Sequence, residues 1–281
     1  MGDLAEDTSV EEIEPGRYRA HLSREWEIWG PNGGYLAVIA LRAAGASTSL
    51  SRPATFTCHF LGVADFDDVE LEVRPLRESR RAASLAVTMR QHDKPVLEAI
   101  TWVIGDDLEG LEHAAAPIPD VAAPDGLPSV RELLDESQRG PYHQFWSNFD
   151  ERPLRWVGNW EEREPDEPEF RSWFRYVPRD TFTDPFVDAG RALLLVDTLG
   201  WPAATRAYRP DEVAFYAPSI DVTARFHALG SDSPWLLAEA RSPVARDGLV
   251  AATASVWAAD GRLLATGGQQ MLCRPMSLQG G

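Results

Sequence analysis

The sequence predicts an α+β protein built from two copies of one unit, with two antiparallel sheets each wrapping a long buried helix. Three observations support this prediction. Two apolar segments of helical length occur, one in each half of the chain. Each is followed by four strand-like runs joined by short turns, a spacing that favours antiparallel pairing. The order of these elements is the same in both halves, which indicates an internal duplication.

The duplication is visible as nearly constant offsets between matching residues. Matching residues and their offsets are Leu36 with Leu193 (157), Phe60 with Phe226 (166), and Leu97 with Leu264 (167). The offset changes mainly between the helix and the next strand, where the second copy has a longer loop. Offsets that stay constant within elements and change at loops are typical of a duplicated domain.

The first copy, predicted to span residues 1–105, begins with an acidic segment, residues 1–16, for which we expect no regular structure. A strand follows at Gly16–Leu22, and a helix begins near Tyr35, after a Pro-Asn-Gly-Gly sequence. This helix has almost no polar side before Arg42, so we expect it to be buried. Four further strands are predicted at Ala54–Leu61, Val69–Arg74, Ala82–Gln91 and Val96–Ile104.

Residues 106–140 lack periodicity and are predicted to be a linker, with a short helix at Ser129–Ser137. The second copy then spans residues 141–281, and its apolar helix is Ala192–Leu199. Its strands are predicted at Phe149–Leu154, Ser172–Val177, Ile220–Phe226, Trp235–Ser242, Gly248–Ala258 and Leu263–Cys273.

Composition limits the classes of partner. The net charge of −17 argues against a nucleic acid or an anionic membrane surface as partner. No apolar run reaches the roughly 20 residues that a membrane span needs, and the acidic N-terminus is unlike a signal peptide. The two cysteines are expected to be reduced thiols, and the six histidines show no metal-ligand spacing, so we expect a cytoplasmic protein without a metal or cofactor.

Two polar residues stand out in otherwise apolar elements. Asp197 interrupts the second helix, where burying a carboxylate without partners is costly, and perturbed carboxylates cluster at functional sites. The alternative is that Asp197 faces solvent. Gln269 and Gln270 are adjacent in the last strand, so one of them faces the interior. The alternative here is an edge strand whose glutamines are both at the surface.

Ser219 and the pair Gly33-Gly34 are weaker candidates. A serine before a strand is ordinary, and no G-x-S-x-G pattern marks a nucleophile. Gly33 and Gly34 open the first helix, where free N–H groups and the positive end of the helix dipole would suit a developing oxyanion. A tight strand-to-helix turn explains the same glycines equally well.

Several segments resemble the TesB-like acyl-CoA thioesterases, a family with the double hot-dog fold. They are GPNGGYLAVIALRAA at residues 30–44, TFTCHFLGV at 55–63, SIDVTARFH at 219–227 and DGRLLATGGQQMLCR at 260–274. The resemblance implies hydrolysis of an acyl-CoA thioester by an activated water, within lipid metabolism. It implies Asp197, Gln269 and Ser219 as the catalytic residues, and it is compatible with oxyanion binding at Gly33 and Gly34.

Other interpretations stay open from the sequence. Arg80 and Arg81 belong to the densest basic cluster and would meet the CoA phosphates or simply lie in solvent. A hot-dog dehydratase or hydratase, and a non-catalytic acyl-thioester binding module, are the alternative functions. Self-association into homo-oligomers is common for the fold, although one chain already supplies the paired surface.

Overall fold

The structure, a computed structural model, describes residues 1–135, 144–158 and 162–276. Its helices there are α1 (Leu4–Asp7), α2 (Gly33–Ala46), α3 (Val130–Leu133), α4 (Pro185–Thr198) and α5 (Gly200–Thr205). Strands of the first half are β1 (Glu11–Glu14), β2 (Arg17–His21), β3 (Arg52–Phe60), β4 (Asp68–Glu78), β5 (Ala82–Gln91) and β6 (Lys94–Ile104). Strands of the second half are β7 (Phe149–Pro153), β8 (Glu169–Tyr176), β9 (Phe215–Tyr216), β10 (Ser219–Phe226), β11 (Leu236–Arg246), β12 (Leu249–Ala258), β13 (Leu263–Leu272) and β14 (Arg274–Pro275).

The predicted pair of sheets is in fact one antiparallel sheet of twelve strands. Its order is β1-β2-β4-β5-β6-β3-β10-β13-β12-β11-β8-β7, so each half of the chain supplies six neighbouring strands. The halves join where β3 pairs with β10. The prediction of two sheets was wrong because it treated each copy alone. The unpaired N–H and C=O groups of an edge strand are satisfied here by the edge strand of the other copy.

The junction of β3 and β10 lies on an approximate two-fold axis. Thr57 is opposite Thr223, and their hydroxyl oxygens are 3.2 Å apart. The pairs on either side of it are related by the same axis: Thr55 pairs with Arg225, and Asp221, which corresponds to Thr55 at an offset of 166, pairs with His59. This register confirms the offset of 166 between Phe60 and Phe226.

The other two offsets differ from the prediction by one residue. A Cβ on Gly34 would meet Leu194, and a Cβ on Gly190 would meet Val38, so the helices correspond at an offset of 156 rather than 157. Phe60 pairs with Leu97 and Phe226 pairs with Ala265. Leu97 therefore corresponds to Ala265, at 168 rather than 167. Matching identical leucines misled the alignment because shape, and not identity, relates the copies at these positions.

Helix α2 begins at Gly33, two residues earlier than predicted, because Asn32 caps it. The Asn32 side chain accepts a hydrogen bond from the Tyr35 N–H, and the Asn32 carbonyl accepts one from the Leu36 N–H. Leu36 to Leu41 are all buried, as the apolar pattern predicts. The glycine-rich start of the helix lets it pack closely against α4, with Gly34 against the backbone of Leu194.

Helix α4 begins at Pro185, seven residues before the predicted start at Ala192. Asp184 is the N-cap and accepts hydrogen bonds from the N–H groups of Phe186 and Val187. Proline at the first helical position needs no hydrogen-bond donor, so Pro185 opens the helix. Helix α4 ends at Thr198, and α5 then runs from Gly200 to Thr205.

A buried ion pair, which the sequence analysis missed, holds the first turns of α4. Arg191 and Asp188 form a salt bridge and are both almost fully buried. The Arg191 guanidinium also donates to the carbonyl oxygens of Asp180, Gly230 and Ser233. It therefore ties α4 to two loops.

The acidic N-terminal segment is ordered, contrary to the prediction. Leu4 of α1 is buried in the core, and Asp3 and Glu6 form ion pairs with Arg179. The burial of Leu4 and the ion pairs with Arg179, together with hydrogen bonds such as that from the Trp26 indole to Asp7, hold a segment that looked polar throughout. Strand β1 follows and pairs with β2.

Part of the predicted linker packs on the second half. Ile118, Val121 and Leu127 contact a cluster formed by Trp173, Leu237 and Trp257. The predicted helix at Ser129–Ser137 is shorter, since α3 ends at Leu133, and residues 136–137 lie outside the described residues. None of the helices in the described ranges has the length and apolar character that crossing a bilayer would require.

Candidate active site

Asp197 lies on α4 with only 4% of its surface exposed, so the alternative in which it faces solvent is wrong. Burial raises the pKa of the Asp197 carboxyl to about 6, because water no longer stabilises the charged form. The Ser219 side chain and the Gly34 N–H favour the charged form and limit this rise, whereas the charge of Asp221 adds to it. Within the described part of the chain, Asp197 Oδ1 is buried and has no hydrogen-bond partner.

The N-terminus of α2, which comes from the first copy, faces the Asp197 carboxylate of the second copy. A Cβ on Gly33 would lie 2.9 Å from Asp197 Oδ2, so any other residue here would displace the carboxylate. Gly33 and Gly34 are the first two residues of α2, so their N–H groups have no acceptor within the helix, whereas the Tyr35 N–H is bound by the N-cap Asn32. The structure therefore brings Gly33, Gly34 and Asp197 together.

Ser219 begins β10 and is partly buried. Its side chain is one of the groups that hold the Asp197 carboxylate in its charged form. Asp221, two residues later, accepts a hydrogen bond from the Gln270 N–H at 2.8 Å. This hydrogen bond holds the Asp221 side chain against the backbone of β13, one residue after Gln269.

Gln269 is 6% exposed, so it is the glutamine of the pair that faces the interior. It lies in one row across three strands, beside Val222 of β10, which in turn pairs with Cys58 of β3. Gly200, three residues after Asp197, packs against the Gln269 amide. Gln269 Nε2 donates to Met271 Sδ at 3.2 Å, whereas Oε1 is buried with no partner among the described residues.

Cys58, the β3 member of this row, is near enough to Asp197 for the carboxylate charge to act on its thiol. Burial is the main cause that raises the pKa of the Cys58 thiol, and the charge of Asp197 is the second. The thiol therefore stays protonated and unreactive at neutral pH. Its role is that of a small apolar residue below the carboxylate.

Arg80 and Arg81 lie away from this group. Both are exposed in the β4–β5 turn, and Arg80 contacts Asp107 at 3.8 Å. Ala82, the next residue, pairs with Ile104, which also pairs with Arg52 at the start of β3. The Asp197 site is near Phe60, at the end of β3. At about 3.3 Å per residue, the two ends of β3 are roughly 26 Å apart.

Sequence reasoning missed the contact of Phe60 with the site. A Cβ on Gly33 would lie 3.0 Å from Phe60 Cζ and 3.4 Å from Phe60 Cε1, so the ring edge lies directly over this glycine. An aromatic residue that ends a strand carries no signal of such a contact, because the contact joins residues 27 positions apart. The match of Phe60 with Phe226 singled out Phe60 in the sequence, but it did not indicate that Phe60 contacts Gly33.

A second group that spacing could not reveal is His21, Asp67 and Asp68. Among the described residues these three side chains could approach one metal ion, and His21 Nδ1 is 2.9 Å from Asp68 Oδ1. All three are exposed. Exposed acidic groups of this kind are common without a metal, so we assign them no function.

Comparison with known families matches both halves of the chain. The family model described as the acyl-CoA thioesterase N-terminal domain matches residues 22–104. The model described as the acyl-CoA thioesterase C-terminal domain matches residues 119–273, which is more than half of the chain. No curated protein sequence matches significantly.

Solved structures with the same fold cover nearly the whole chain. A conserved hot-dog protein of unknown function from Alicyclobacillus acidocaldarius is 22% identical, with a TM-score of 0.81, over 97% of this chain and 98% of that one. The acyl-CoA thioesterase II TesB2 from Mycobacterium marinum is 19% identical, with a TM-score of 0.78, over 98% and 99%. A tesB protein from Mycobacterium avium subsp. paratuberculosis is 21% identical, with a TM-score of 0.77, over 97% and 98%. These similarities identify the fold as hot-dog.

Proposed function

Since this chain belongs to the acyl-CoA thioesterase family, we propose that it hydrolyses acyl-CoA with an activated water to a free acid and CoA. The observation that carries the proposal is the buried Asp197 carboxylate, which faces the open N-terminus of α2 from the other copy. A carboxylate with a raised pKa beside free N–H groups combines a base with an anion-binding site. Both are needed when water attacks a thioester.

Two buried acceptor atoms support the role of a bound water. Asp197 Oδ1 and Gln269 Oε1 have no partner among the described residues. A water that donates one hydrogen to each acceptor keeps a lone pair free to attack the acyl carbon. Ser219 holds the Asp197 carboxylate in its ionised form, so that Asp197 can accept the proton of the attacking water.

The positive end of α2 stabilises the negative oxygen that forms during attack. The Gly34 N–H already serves the Asp197 carboxylate, so our proposal assigns the Gly33 N–H as the principal donor to the oxyanion. Collapse of the tetrahedral intermediate breaks the carbon–sulfur bond. The leaving thiolate takes the proton that Asp197 accepted, and the acid and CoA are released.

The test is thiol release from a panel of acyl-CoAs by variants of the site. We expect Asp197→Asn to lower kcat by about 10²-fold to 10⁴-fold, the usual contribution of a general base. Gln269→Ala should lower kcat by about 10²-fold, because the attacking water loses one of the two acceptors that position it. The matched control is Gln270→Ala, because Gln270 is the neighbour in β13 that points away from the buried row.

The outcomes separate the alternative functions. A folded Asp197→Asn variant that hydrolyses acyl-CoA within a few-fold of the wild-type rate would show that Asp197 is not the general base. Thermal stabilisation by acyl-CoA without turnover in the wild type would indicate a binding module. Gain or loss of water in the acyl chain of a 2-enoyl- or 3-hydroxyacyl-CoA, with the thioester intact and no thiol released, would indicate a dehydratase or hydratase.

Further parts of the proposal rest on the sequence and on the family. They are a place in lipid metabolism, a cytoplasmic location, copies at residues 1–105 and 141–281 joined by the linker 106–140, and assembly into homo-oligomers. Binding of CoA phosphates by Arg80 and Arg81 is the least supported, because these residues lie at the opposite end of β3 from Asp197.

A further inference from the structure

The ring of Phe60 lies beside the place where the proposed function puts the thioester. Its edge lies over Gly33, next to the Asp197 carboxylate, with Cζ 3.0 Å from the place where a Cβ of residue 33 would be. The thioester that the proposed function places with its carbonyl oxygen on the Gly33 N–H, beside the Asp197 carboxylate, therefore has one substituent of its carbonyl carbon against this ring.

The backbone fixes the ring in this place. Phe60 is the last residue of β3 and pairs with Leu97 of β6. The next two N–H groups, those of Leu61 and Gly62, both donate to the Val96 carbonyl, at 2.8 Å and 3.2 Å. Gly62 allows this turn, because a Cβ there would lie 2.7 Å from the Pro95 carbonyl oxygen. The ring itself is partly buried and packs against the core.

We propose that Phe60 determines which acyl groups the site accepts, by limiting the bulk of the acyl chain next to the carbonyl carbon. This inference rests on the proposed function. The substituent that meets the ring is the acyl chain rather than the pantetheine. Beyond the two methylenes next to its sulfur, pantetheine carries amide groups whose burial requires hydrogen-bond partners, and a phenyl edge offers none. An apolar acyl chain loses nothing in this contact and gains from burial.

The duplication supplies a matched control in the same molecule. Phe226 is the counterpart of Phe60 at the offset of 166, ends β10 as Phe60 ends β3, and is buried to a similar degree or more. Ser219, at the site, begins β10, so Phe226 is about seven strand residues, or roughly 23 Å, from it. A substitution at Phe226 therefore repeats the loss of a core ring without touching the site.

The experiment compares kcat/KM for acetyl-, butyryl-, isobutyryl-, benzoyl- and octanoyl-CoA in the wild type, Phe60→Leu, Phe60→Met and Phe226→Leu. Two Phe60 variants are included so that, if one of them fails to fold, the other still tests the proposal. We expect both to raise the ratio of kcat/KM for isobutyryl- and benzoyl-CoA over acetyl-CoA by about tenfold or more, the scale on which small volume changes in an apolar site act. Phe226→Leu should leave this ratio within about twofold.

Failure of this inference differs from failure of the proposed function. If both Phe60 variants hydrolyse acetyl-CoA but keep the wild-type ratio, or if Phe226→Leu shifts the ratio equally, Phe60 does not set the acyl preference. If neither the wild type nor any variant releases thiol from the panel, the proposed function fails and the inference fails with it.

Discussion

At the scale of single residues, the raised pKa of Asp197 predicts the pH dependence of hydrolysis. The carboxyl must be ionised to accept a proton, and its pKa is about 6. We expect kcat/KM to fall about tenfold per pH unit below that value and to level off above it. The measurement is kcat/KM for one acyl-CoA between pH 4.5 and 8.5. A rate that stays constant down to pH 4.5 would contradict the assignment.

The same pKa predicts an opposite effect on stability. In the unfolded chain an Asp has a pKa near 3.9, so the raised folded value means that folding favours the protonated form. The contribution of Asp197 to stability is complete below about pH 3.9 and is lost as the pH rises through about 6. The Asp197→Asn variant should therefore unfold with a free energy higher by an amount on the order of 3 kcal/mol at pH 7.5, and with little difference near pH 4. Urea denaturation at both pH values tests this.

Gly33 is the position where the site tolerates least change. A Cβ there would press on Asp197 Oδ2 and on the Phe60 ring. We expect Gly33→Ala to lower kcat at least about 10²-fold, because both the carboxylate and the Gly33 N–H are displaced. The cost in stability should be about 1–3 kcal/mol. Gly110→Ala is the control, since no atom lies within 4 Å of a Cβ at that residue. Equal activity of the two variants would contradict the close packing at Gly33.

At the scale of elements, the buried pair of Arg191 and Asp188 makes α4 dependent on its loops. Replacing Arg191 with Met leaves the Asp188 carboxylate and three carbonyl groups without their cation. We expect Arg191→Met to lower the free energy of unfolding by about 3–5 kcal/mol. Adding Asp188→Asn to Arg191→Met should cost less than the sum of the single changes. A double-mutant cycle by urea denaturation measures this coupling, and additive losses would contradict it.

The elements also show how far the sequence could lead. The apolar pattern of Leu36 to Leu41 predicted a buried helix because local pattern alone decides it. Polar residues inside apolar elements marked Asp197 and Gln269 as candidates but left a solvent-facing alternative open for each, and only the structure shows that both are buried. The first turns of α4 could not be recognised, because Asp184 and Pro185 are as typical of a turn as of a helix start. The contact of Phe60 with Gly33 and the edge pairing of β3 with β10 are long-range contacts that no local pattern carries.

At the scale of the whole molecule, the structure predicts one reaction centre per chain. The offsets of 156, 168 and 166 place Leu41, Thr101 and Pro53 where the second copy has Asp197, Gln269 and Ser219. The Thr101 hydroxyl already donates to the Thr55 carbonyl at 2.6 Å. The first copy therefore has no carboxylate and no serine at the positions related by the two-fold axis.

Helix α4 also offers no free N–H groups at the position in the first copy that corresponds to the Asp197 site. Ala189 corresponds to Gly33, but α4 begins four residues earlier, at Pro185, so the N–H groups of Ala189 and Gly190 lie inside the helix. We expect a non-hydrolysable thioether analogue of an acyl-CoA to bind with a stoichiometry of one per chain. Isothermal titration calorimetry measures the number, and two equivalents would contradict the single site.

The pairing of β3 with β10 has a consequence for a chain that is cut in two. Residues 106–117 are exposed, so a protease site inserted there would separate the donor end of α2 from the acid on α4 without breaking the sheet. Each fragment alone would expose an unpaired edge strand and would carry only part of the site, either the N-terminus of α2 or the Asp197 carboxylate. Turnover in a mixture of purified fragments would then report how fast the two edges anneal, which makes catalysis itself a kinetic probe of complementation.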